Sequence, residues 1–388
     1  RLVLDRMVVL GKITPDQRSA ALQQGLTYNT PEVSLRAPHF TVYAKGELER
    51  LMGELGYSPE QITNGGLKVY TTLDLDVNDM AQNAARDQVA RLSGQNVSNA
   101  SVLALQPTTG EILAMVSYPT FENNRMARLI PGYYYEQLNE DPRRPLVNNA
   151  ISAEFPPGSV FKLSTATGAY NEGVIDASKI VETPGKLVLC ERFRPTDPCG
   201  PNNSRDFVDW IYDRGGVINE AGFGQLDFFR CIAYSSNVCF YKLGGGFGDE
   251  IEEGLGIFRL REYARALGYD EKSGIQLPGE EDGLIPSPQW KRINTGENWS
   301  TGDTYIASVG QGYVLSTPLQ ILMSGATIAN RGKLMQPTIV REVRDSEDRV
   351  ITVWFDPVDF EIYYVREMVN ARGETQQMYV AASDDPSK

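Results

Sequence analysis

The segment that most constrains this chain is residues 154–162, which read Glu-Phe-Pro-Pro-Gly-Ser-Val-Phe-Lys. Prolines do not lie inside a helix and glycine permits a sharp turn, so a helix is predicted to begin near Ser159. Residues three apart share one face of a helix, which places the Lys162 amine within reach of the Ser159 hydroxyl. A serine becomes a good nucleophile when a neighbouring base takes its proton. The segment therefore predicts a serine nucleophile with a lysine base.

Lys162 acts as a base only if its pKa falls well below its ordinary value of about 10.4. A helix N-terminus and the apolar Phe161 both disfavour the protonated amine. For an arbitrary Ser-x-x-Lys, the simpler interpretation is a helix start with a surface lysine. Here no other serine in the 388 residues has a lysine three positions later, and this pair follows a Pro-Pro-Gly turn. Both features favour the nucleophile hypothesis.

A second polar motif is formed by Ser235 and Asn237, within residues 225–243, which have a helical pattern. It is the only Ser-x-Asn in the chain. A serine hydroxyl can relay a proton between a lysine and a leaving group, and a carboxamide can orient both a lysine and a substrate amide. Taken alone, the motif is more simply a polar helix end near a turn. Together with Ser159 and Lys162 it forms a candidate catalytic set.

Composition disfavours several other functions. The net charge of -13 argues against nucleic acid and anionic membrane as partners, because both would be repelled at long range. The one histidine, His39, is far from Ser159 in sequence, which disfavours a Ser-His-Asp triad and a histidine-based metal site. His39 is predicted to be a structural or a surface residue. The four cysteines form no Cys-x-x-Cys pair, and the sequence predicts neither a metal nor a cofactor.

The cysteines raise two separate questions. Cys190 and Cys199 bracket a short loop, which suits a disulfide in an oxidising compartment, with two free thiols as the open alternative. Cys231 and Cys239 fall on the predicted helix 225–243, too far apart along it to bridge, so we expect buried thiols there. The chain has no run of about 18 apolar residues and no signal peptide, so as given it is predicted neither to span a membrane nor to direct its own export.

Periodicity and turn signals predict most secondary elements. A tight turn at residues 107–110 predicts a hairpin of strands 100–106 and 111–117. Further strands are predicted at residues 67–72, 338–345 and 350–355. Helices are predicted at residues 1–11, 14–25, 42–56, 74–92, 159–169, 225–243, 258–267 and 318–330. Residues 118–145 and 182–219 are predicted to be irregular.

These motifs resemble the class A, bifunctional penicillin-binding proteins. Ser-x-x-Lys and a Ser-x-Asn type element belong to the signature of β-lactamases and penicillin-binding proteins. Residues 1–13 resemble the last helix of the family's glycosyltransferase domain, and residues 102–116 resemble the first hairpin of its transpeptidase domain. The other matching segments are residues 37–40 and 66–74, similar to its linker region, and residues 273–280, 299–304 and 310–312, similar to later landmarks.

The resemblance implies an α+β fold of the penicillin-binding transpeptidase or serine β-lactamase type. Such a fold has an antiparallel sheet flanked by helices and a helical subdomain. It also implies three parts: residues 1–25 as the tail of a glycosyltransferase domain, 26–99 as a linker region, and 100–388 as a transpeptidase domain that is incomplete at its C-terminus.

The implied activity is that of a serine D,D-transpeptidase that cross-links peptidoglycan stem peptides and binds β-lactam antibiotics. Ser159 would attack the penultimate D-alanine carbonyl, with Lys162 as base, Ser235 as proton relay and Asn237 orienting substrate and lysine. The implied partners are stem peptides that donate D-Ala-D-Ala or accept through an amine, β-lactams, and other cell-wall synthesis proteins. The implied location is the extracytoplasmic face of a bacterial membrane, with an anchor absent from this chain, and it favours the Cys190–Cys199 disulfide.

The chain departs from the family pattern because it lacks the Lys-Thr-Gly motif. Lys272, Ser273 and Gly274 have similar letters, but they lead into Ile-Gln-Leu-Pro-Gly-Glu and are left out of the site. We therefore expect the chain to be part of a protein that continues beyond Lys388. The alternative functions are a serine β-lactamase or D,D-carboxypeptidase, or an inactive binding or scaffold module.

Overall fold

The computed structural model describes residues 1–24, 36–54, 56–122, 125, 130–190, 199–353, 363–369 and 375–381. The chain divides into two compact units, one of Arg1–Leu35 with Glu122–Ile130 and one of Arg36–Phe121 with Pro131–Lys388. The candidate catalytic residues all belong to the second unit. No helix within the described part has the length and apolar character needed to cross a membrane.

The first unit contains helices α1 (Leu2–Val9) and α2 (Pro15–Gln23). Thr14 caps α2 because its hydroxyl accepts from the Gln17 N–H and the Gln17 side chain accepts from the Thr14 N–H. This reciprocal capping and the proline at the first helical position are what the sequence predicted. The predicted end of this helix at Gly25 lies outside the described residues.

The other helices with described bounds belong to the second unit. In chain order they are α3 (Pro38–Glu54), α4 (Pro59–Asn64), α5 (Leu75–Leu92), α6 (Gly132–Glu140), α7 (Asn149–Ser152), α8 (Lys162–Asn171), α9 (Phe228–Ala233), α10 (Asn237–Gly245), α11 (Gly256–Ala266), α12 (Pro288–Thr295), α13 (Thr301–Ser308) and α14 (Pro318–Ala329). Short 3-10 helices are found at Ser93–Gln95 and Gly158–Phe161.

The strands pair antiparallel in small sheets. They are β1 (Lys68–Thr71), β2 (Ala100–Leu105), β3 (Ile112–Tyr118), β4 (Val181–Thr183), β5 (Lys186–Cys190), β6 (Ser204–Val208), β7 (Asp213–Arg214), β8 (Val217–Ile218), β9 (Gly224–Leu226), β10 (Val340–Arg344), β11 (Val350–Val353), β12 (Tyr363–Val369) and β13 (Thr375–Ala381). The strand order is β1-β10-β11 in one sheet, and the other strands pair as β2-β3, β4-β9, β5-β6, β7-β8 and β12-β13.

The predicted hairpin is confirmed as β2 and β3, in which Ala100 pairs with Tyr118. Its turn requires Gly110, because the backbone φ is +77° and a Cβ would lie 2.2 Å from the Gln336 carbonyl oxygen. The hairpin lies beside the three-stranded sheet, since the Ile112 N–H donates to the Thr338 carbonyl. The antiparallel sheet flanked by helices is therefore present as predicted.

The described residues form three apolar clusters: one under the sheet, one in the helical subdomain, and a third that includes Phe161 and Tyr269. The sheet cluster includes Ile112, Met115 and Met323, where strands pack against α14. The helical cluster includes Ala169, Cys239 and other buried residues of α8, α10 and α13. Burial of a large apolar side chain stabilises the fold by roughly 1.5–3 kcal/mol. The elements that carry the catalytic candidates thus rest on a core of their own.

Of the two predicted alternatives for His39, the structure shows the structural one. The residue lies at the start of α3 and is 2% exposed. Its Nε2 atom is 2.7 Å from the Pro145 carbonyl oxygen, and its ring meets the Phe121 ring edge-on. Burial lowers the pKa of His39 to about 4, so the ring is neutral at physiological pH.

Several predicted boundaries are wrong. Residues 118–145 include helix α6, and α3 begins at Pro38, earlier than predicted. Residues 182–219, predicted irregular, contain strands of two to five residues. Such short strands display too few side chains for a period of two to be read, and turn residues surround them. At the C-terminus, residues 354–362 and 384–388 lie outside the described part.

Candidate active site

The turn that carries Ser159 joins a glycine to a buried helix. Gly158–Phe161 form a 3-10 turn that continues directly into α8 at Lys162. Gly158 has φ +62°, a conformation that glycine adopts without strain. Phe161 is fully buried and packs edge-on against Tyr269, with ring centroids 5.2 Å apart. Ser159 remains exposed on this anchored turn, which confirms the predicted helix start.

A second glycine, Gly310, packs against the turn that carries Ser159. The Gly158 N–H donates to the Gly310 carbonyl over 2.8 Å. Gly310 has φ +70°, and a Cβ there would lie 2.4 Å from the Gly158 carbonyl oxygen. Any side chain at residue 310 would therefore displace the Ser159 turn. This contact explains why the sequence has a glycine-rich stretch at residues 310–312.

Lys162 brings the two sequence motifs together. It is 3% exposed. Its Nζ atom donates to the Asn237 Oδ1 over 2.7 Å, to the Ser235 carbonyl oxygen over 2.6 Å and to the Ser235 Oγ over 3.1 Å. The same nitrogen lies 5.5 Å from the centre of the Phe240 ring. Three of the four predicted site residues thus form one hydrogen-bonded cluster.

Burial lowers the pKa of Lys162 to about 8, against an opposing effect of the Asp209 charge, which raises it. Desolvation disfavours the ammonium, while three acceptors and a carboxylate favour it. A pKa near 8 keeps a usable fraction of neutral amine close to neutral pH. Lys162 therefore has the lowered pKa that a lysine base requires.

Ser159 is the fourth predicted residue, and among the described contacts Lys162 makes no hydrogen bond to it. A protonated amine has three N–H donors, and all three acceptors around Lys162 are used. A neutral amine has two N–H donors and a lone pair, so one acceptor is released and the Ser235 hydroxyl can turn to donate to the nitrogen. Catalytic hydrogen bonds in ligand-free sites commonly tighten only in the complex.

The helix predicted at residues 225–243 is broken at the catalytic motif. Helix α9 ends at Ala233, and Ser235 has φ +52°, which is uncommon for a residue with a side chain. Ser236 then caps α10, since its Oγ accepts from the Cys239 N–H over 3.2 Å. Serine, like asparagine, competes for backbone donors and so favours helix ends over helix interiors. The break turns Ser235 and Asn237 toward Lys162.

The same break corrects our expectation about the cysteines. Cys231 and Cys239 form a disulfide, with Cα atoms 6.0 Å apart. The prediction of two buried thiols is wrong because it assumed a continuous helix, which would carry eight residues about 12 Å along its axis. Both cysteines are fully buried, and the bridge spans residues 234–238, which carry the candidates Ser235 and Asn237 and which we name the catalytic turn. The predicted Cys190–Cys199 disulfide is confirmed, with Cα atoms 5.4 Å apart.

Asp209 is a functional candidate that the sequence did not reveal. It follows β6, is 2% exposed, and contacts the backbone beside Asn237. The sequence offered no signal for it, because residues 182–219 appeared irregular and a single aspartate in a loop is ordinarily solvated.

The residues Lys272, Ser273 and Gly274, which the sequence analysis left out of the site, have structural contacts of their own. They lie in irregular backbone rather than on a strand. The Ser273 N–H donates to the buried Glu280 carboxylate over 2.8 Å, and its hydroxyl donates to the same oxygen. This serine therefore has a structural partner of its own.

A pocket of about 250 Å³ opens beside the Gly310 support. It is lined by Arg205, Pro286, Lys291, Glu297, Trp299, Asp303, Ile306, Ala307, Gln311, Gly312 and Tyr313. Gln311 and Gly312 directly follow the glycine that holds the Ser159 turn. The pocket, with its aromatic and charged groups, is thus linked to the Ser159 turn through the contact between Gly310 and Gly158.

One cluster of three carboxylates has the close spacing of metal ligands. Glu154, Glu281 and Asp282 bring their oxygens within 4.8 Å of one another. Two of the three are exposed, and exposed acidic groups of this kind are common without an ion. We assign no metal to it.

The fold defines the class of protein first: it is the α+β penicillin-binding transpeptidase fold. The chain belongs to the penicillin binding protein transpeptidase domain family, whose pattern matches residues 100–359. All four predicted site residues lie within this match.

Several individual proteins of this family are similar to the chain. The peptidoglycan D,D-transpeptidase MrdA of Acinetobacter baumannii is 31% identical over 276 residues, 71% of this chain and 36% of that protein. The crystal structure of Pseudomonas aeruginosa PBP2 in complex with WCK 5153 has a TM-score of 0.58 and 29% identity, covering 76% of this chain and 59% of that chain. A complex between PBP2 and MreC from Helicobacter pylori has a TM-score of 0.56 and 26% identity, covering 75% and 46%. The chain spans less than half the length of the curated MrdA relatives it matches.

The expectation of a class A, bifunctional protein is wrong. The relatives are MrdA and PBP2 proteins, which are monofunctional class B transpeptidases, and the match comprises a transpeptidase domain only. The comparisons do not support a glycosyltransferase, and the interpretation of residues 1–13 as its last helix falls with it. The error has a simple origin: the Ser-x-x-Lys and Ser-x-Asn motifs lie within the transpeptidase match at residues 100–359 and say nothing about what precedes it, while the resemblance of residues 1–13 rested on one short helix-like segment.

Proposed function

We propose that this chain acts as a serine D,D-transpeptidase that cross-links peptidoglycan stem peptides through an acyl-enzyme and that also reacts with β-lactams. One observation carries the proposal: a buried Lys162 amine is held by Ser235 and Asn237 directly behind the exposed turn that bears Ser159. The named D,D-transpeptidase relatives support it.

In the acylation step, the Ser159 Oγ attacks the carbonyl carbon of the penultimate D-alanine. Lys162, as the neutral amine, takes the serine proton, and Ser235 passes a proton on to the departing nitrogen. The bond to the terminal D-alanine breaks, which leaves an ester on Ser159. We assign the oxyanion to backbone N–H groups at the start of this helix, one of them from Ser159, since such groups point outward unpaired.

In the transfer step, an amine of a second stem peptide attacks the ester carbonyl. A new amide forms, the Ser159 ester bond breaks, and the amine proton returns through Ser235 and Lys162. Asn237 fixes the lysine with its Oδ1 and has a carboxamide N–H₂ that can face a substrate peptide. The pocket beside Gly310, with Arg205, Trp299 and Tyr313, is where we place part of a stem peptide.

We further propose that the chain works outside the cytoplasm, in association with a bacterial membrane and other cell-wall proteins. Its two disulfides support an oxidising compartment. The Helicobacter pylori relative was solved in a complex with MreC, which supports a protein partner of that kind. We retain as proposals the linker region at 26–99 and the transpeptidase domain at 100–388.

The first prediction is that a β-lactam forms one covalent adduct, on Ser159. Fluorescent penicillin is added to the protein, and mass spectrometry of the digested product locates the adduct. We expect it in the peptide that contains Ser159, because this exposed serine alone has a lysine one helical turn away. An adduct on another serine would overturn the assignment. Rapid release of hydrolysed penicillin would favour the β-lactamase alternative, and complete absence of an adduct would favour the inactive scaffold.

The second prediction concerns pH. Lys162 must be neutral to accept the Ser159 proton, and its pKa is about 8. The second-order rate of acylation should therefore rise about tenfold per pH unit below pH 8 and level off above it. Stopped-flow measurement with a chromogenic β-lactam from pH 6 to 9.5 tests this, with circular dichroism as a control for folding. A rate that stays constant from pH 6 to 8 would exclude Lys162 as a base with this pKa.

A further inference from the structure

Asp209 is a buried carboxylate beside the catalytic turn. It follows strand β6, and its own backbone is fixed because its N–H donates to the Gly185 carbonyl over 2.8 Å. The residue is 2% exposed. A carboxylate is rarely buried to this extent unless its charge is compensated by hydrogen bonds or by a cation. Its burial therefore depends on the groups that donate to it.

Both recorded partners of the Asp209 side chain belong to the catalytic turn. Its Oδ2 accepts from the Ser236 Oγ over 2.6 Å and from the Val238 N–H over 3.0 Å. These two donors flank Asn237 in sequence, and Ser236 directly follows Ser235. The carboxylate thus holds the backbone on both sides of the Lys162 ligand.

We propose that Asp209 is a positioning residue of this site. Its carboxylate fixes the first turn of α10, and through it the Ser235 and Asn237 groups that bind Lys162, and its charge acts on the lysine. Hydrogen bonds to a charged group are worth about 1.5–3 kcal/mol, roughly twice the neutral kind. The inference rests on the proposed function, since its consequence is read from acylation.

The electrostatic part has independent support. The Asp209 charge raises the pKa of Lys162, in opposition to burial, and adds to the effect of burial in raising the pKa of Tyr241 to about 12. Other charged groups on the surrounding elements are engaged elsewhere: Glu172 with Arg259, Lys186 with Asp206, Arg230 with Asp227, Lys242 with Glu250, and Lys291 with Asp303. Within the described residues, Asp209 is the carboxylate whose charge acts on Lys162.

The deciding variant is Asp209→Asn, which removes the charge and retains an oxygen that accepts hydrogen bonds. Without the negative charge, the Lys162 pKa falls further, so the rising limb of the acylation pH profile should move to lower pH. If Asp209 acted only through its hydrogen bonds, the variant would lower the acylation rates and leave the midpoint of the pH profile unchanged. The Lys162 titration is also followed directly by NMR of ¹³Cε-labelled lysine, with the resonance assigned from its loss in Lys162→Met.

Two further variants separate position from charge. Ser236→Ala removes one anchor and leaves the charge, so the plateau rate should fall while the midpoint stays. Asp209→Ala removes both anchors and the charge, and should lower the plateau on the order of 10- to 100-fold, as expected when catalytic groups shift by about 1 Å. Asp206→Asn is the matched control, because Asp206 is an exposed carboxylate on the adjoining strand β6, and it should change neither quantity.

Several outcomes would overturn the inference. One is an acylation pH profile of Asp209→Asn with the midpoint and plateau rate of the wild type. Another is a plateau rate that falls only as far as the melting temperature does, with the midpoint of the profile unchanged. If Asp209→Asn does not fold, unchanged acylation by Ser236→Ala overturns it. Failure of the proposed function looks different: the wild-type protein then forms no adduct, and the NMR midpoint of Lys162 still tests the effect of Asp209.

Discussion

Replacing Lys162 by methionine should slow acylation of Ser159 by about 10² to 10⁴, the usual contribution of a general base. The melting temperature should change little, because methionine fills similar space and removes a charge that burial disfavours. The rate constant for adduct formation with a fluorescent penicillin, measured with an excess of the β-lactam, gives the effect. Acylation at the wild-type rate would show that another group deprotonates Ser159.

Lys242→Met is the matched control for that experiment. Lys242 is 1% exposed, and its Nζ donates to the Glu182 carbonyl over 2.7 Å and pairs with Glu250 at 2.5 Å. Its loss leaves Glu250 with the Glu182 N–H but without its cationic partner, so this variant should melt at a lower temperature while keeping its acylation rate below that temperature. The two buried lysines are thereby distinguished: one is needed for stability and the other for chemistry.

The nucleophile segment was predictable because its signals are local. Pro156, Pro157 and Gly158 exclude a continuous helix before Ser159, and residues three apart in the helix that follows must share a face. These rules need no knowledge of the rest of the chain. The hairpin of β2 and β3 was predictable for the same reason, since alternation and a tight turn are read within 18 residues, from 100 to 117.

The catalytic turn was only half predictable. The residue types of Ser235 and Asn237 indicated proton relay and amide recognition, but the apolar pattern on either side continued as a helix. What breaks the helix is distant in sequence: Asp209 accepts from Ser236 and Val238, and Trp210 donates to the Tyr234 carbonyl over 3.1 Å. Local propensity could not anticipate contacts made across about 25 residues of intervening chain.

The class of penicillin-binding protein was not predictable from these motifs. Ser159, Lys162, Ser235 and Asn237 report on acyl transfer, and their chemistry is the same whatever precedes the domain. The apolar spacing in residues 1–11 predicts a helix correctly, as α1 shows, but helical spacing carries no information about the domain to which a helix belongs. The motifs therefore predict a fold and a candidate site, but they do not predict which domain precedes the transpeptidase domain.

Removal of the Cys231–Cys239 disulfide should have a large effect on activity. The bridge joins α9 to α10 across the turn that contains Ser235 and Asn237. Ser235 has φ +52°, a conformation that persists only where the surrounding structure enforces it. Without the bridge, the turn is held by Asp209 and the Ser236 cap, and Ser235 is freer to relax away from Lys162.

The other disulfide is a nearly ideal control. Cys190–Cys199 closes a loop of separation 9, against 8 for Cys231–Cys239, so the chain-entropy model assigns each roughly 2.5 kcal/mol of stability. The variants compared are the double replacements Cys231→Ala with Cys239→Ala and Cys190→Ala with Cys199→Ala. Loss of stability should therefore be similar in the two, and any difference in activity reflects position.

We expect the Cys231→Ala, Cys239→Ala protein to acylate on the order of 10- to 100-fold more slowly than wild type, as for a displacement of about 1 Å in a catalytic site. The Cys190→Ala, Cys199→Ala protein should acylate at the wild-type rate, because its bridge joins the end of β5 to Cys199, and neither segment supplies a hydrogen-bond acceptor to Lys162. Rates are compared at a temperature where circular dichroism shows both proteins folded. Acylation at the wild-type rate by both variants would show that the bridge over the catalytic turn contributes stability alone. Slow acylation by both would point instead to a general loosening of the helical subdomain.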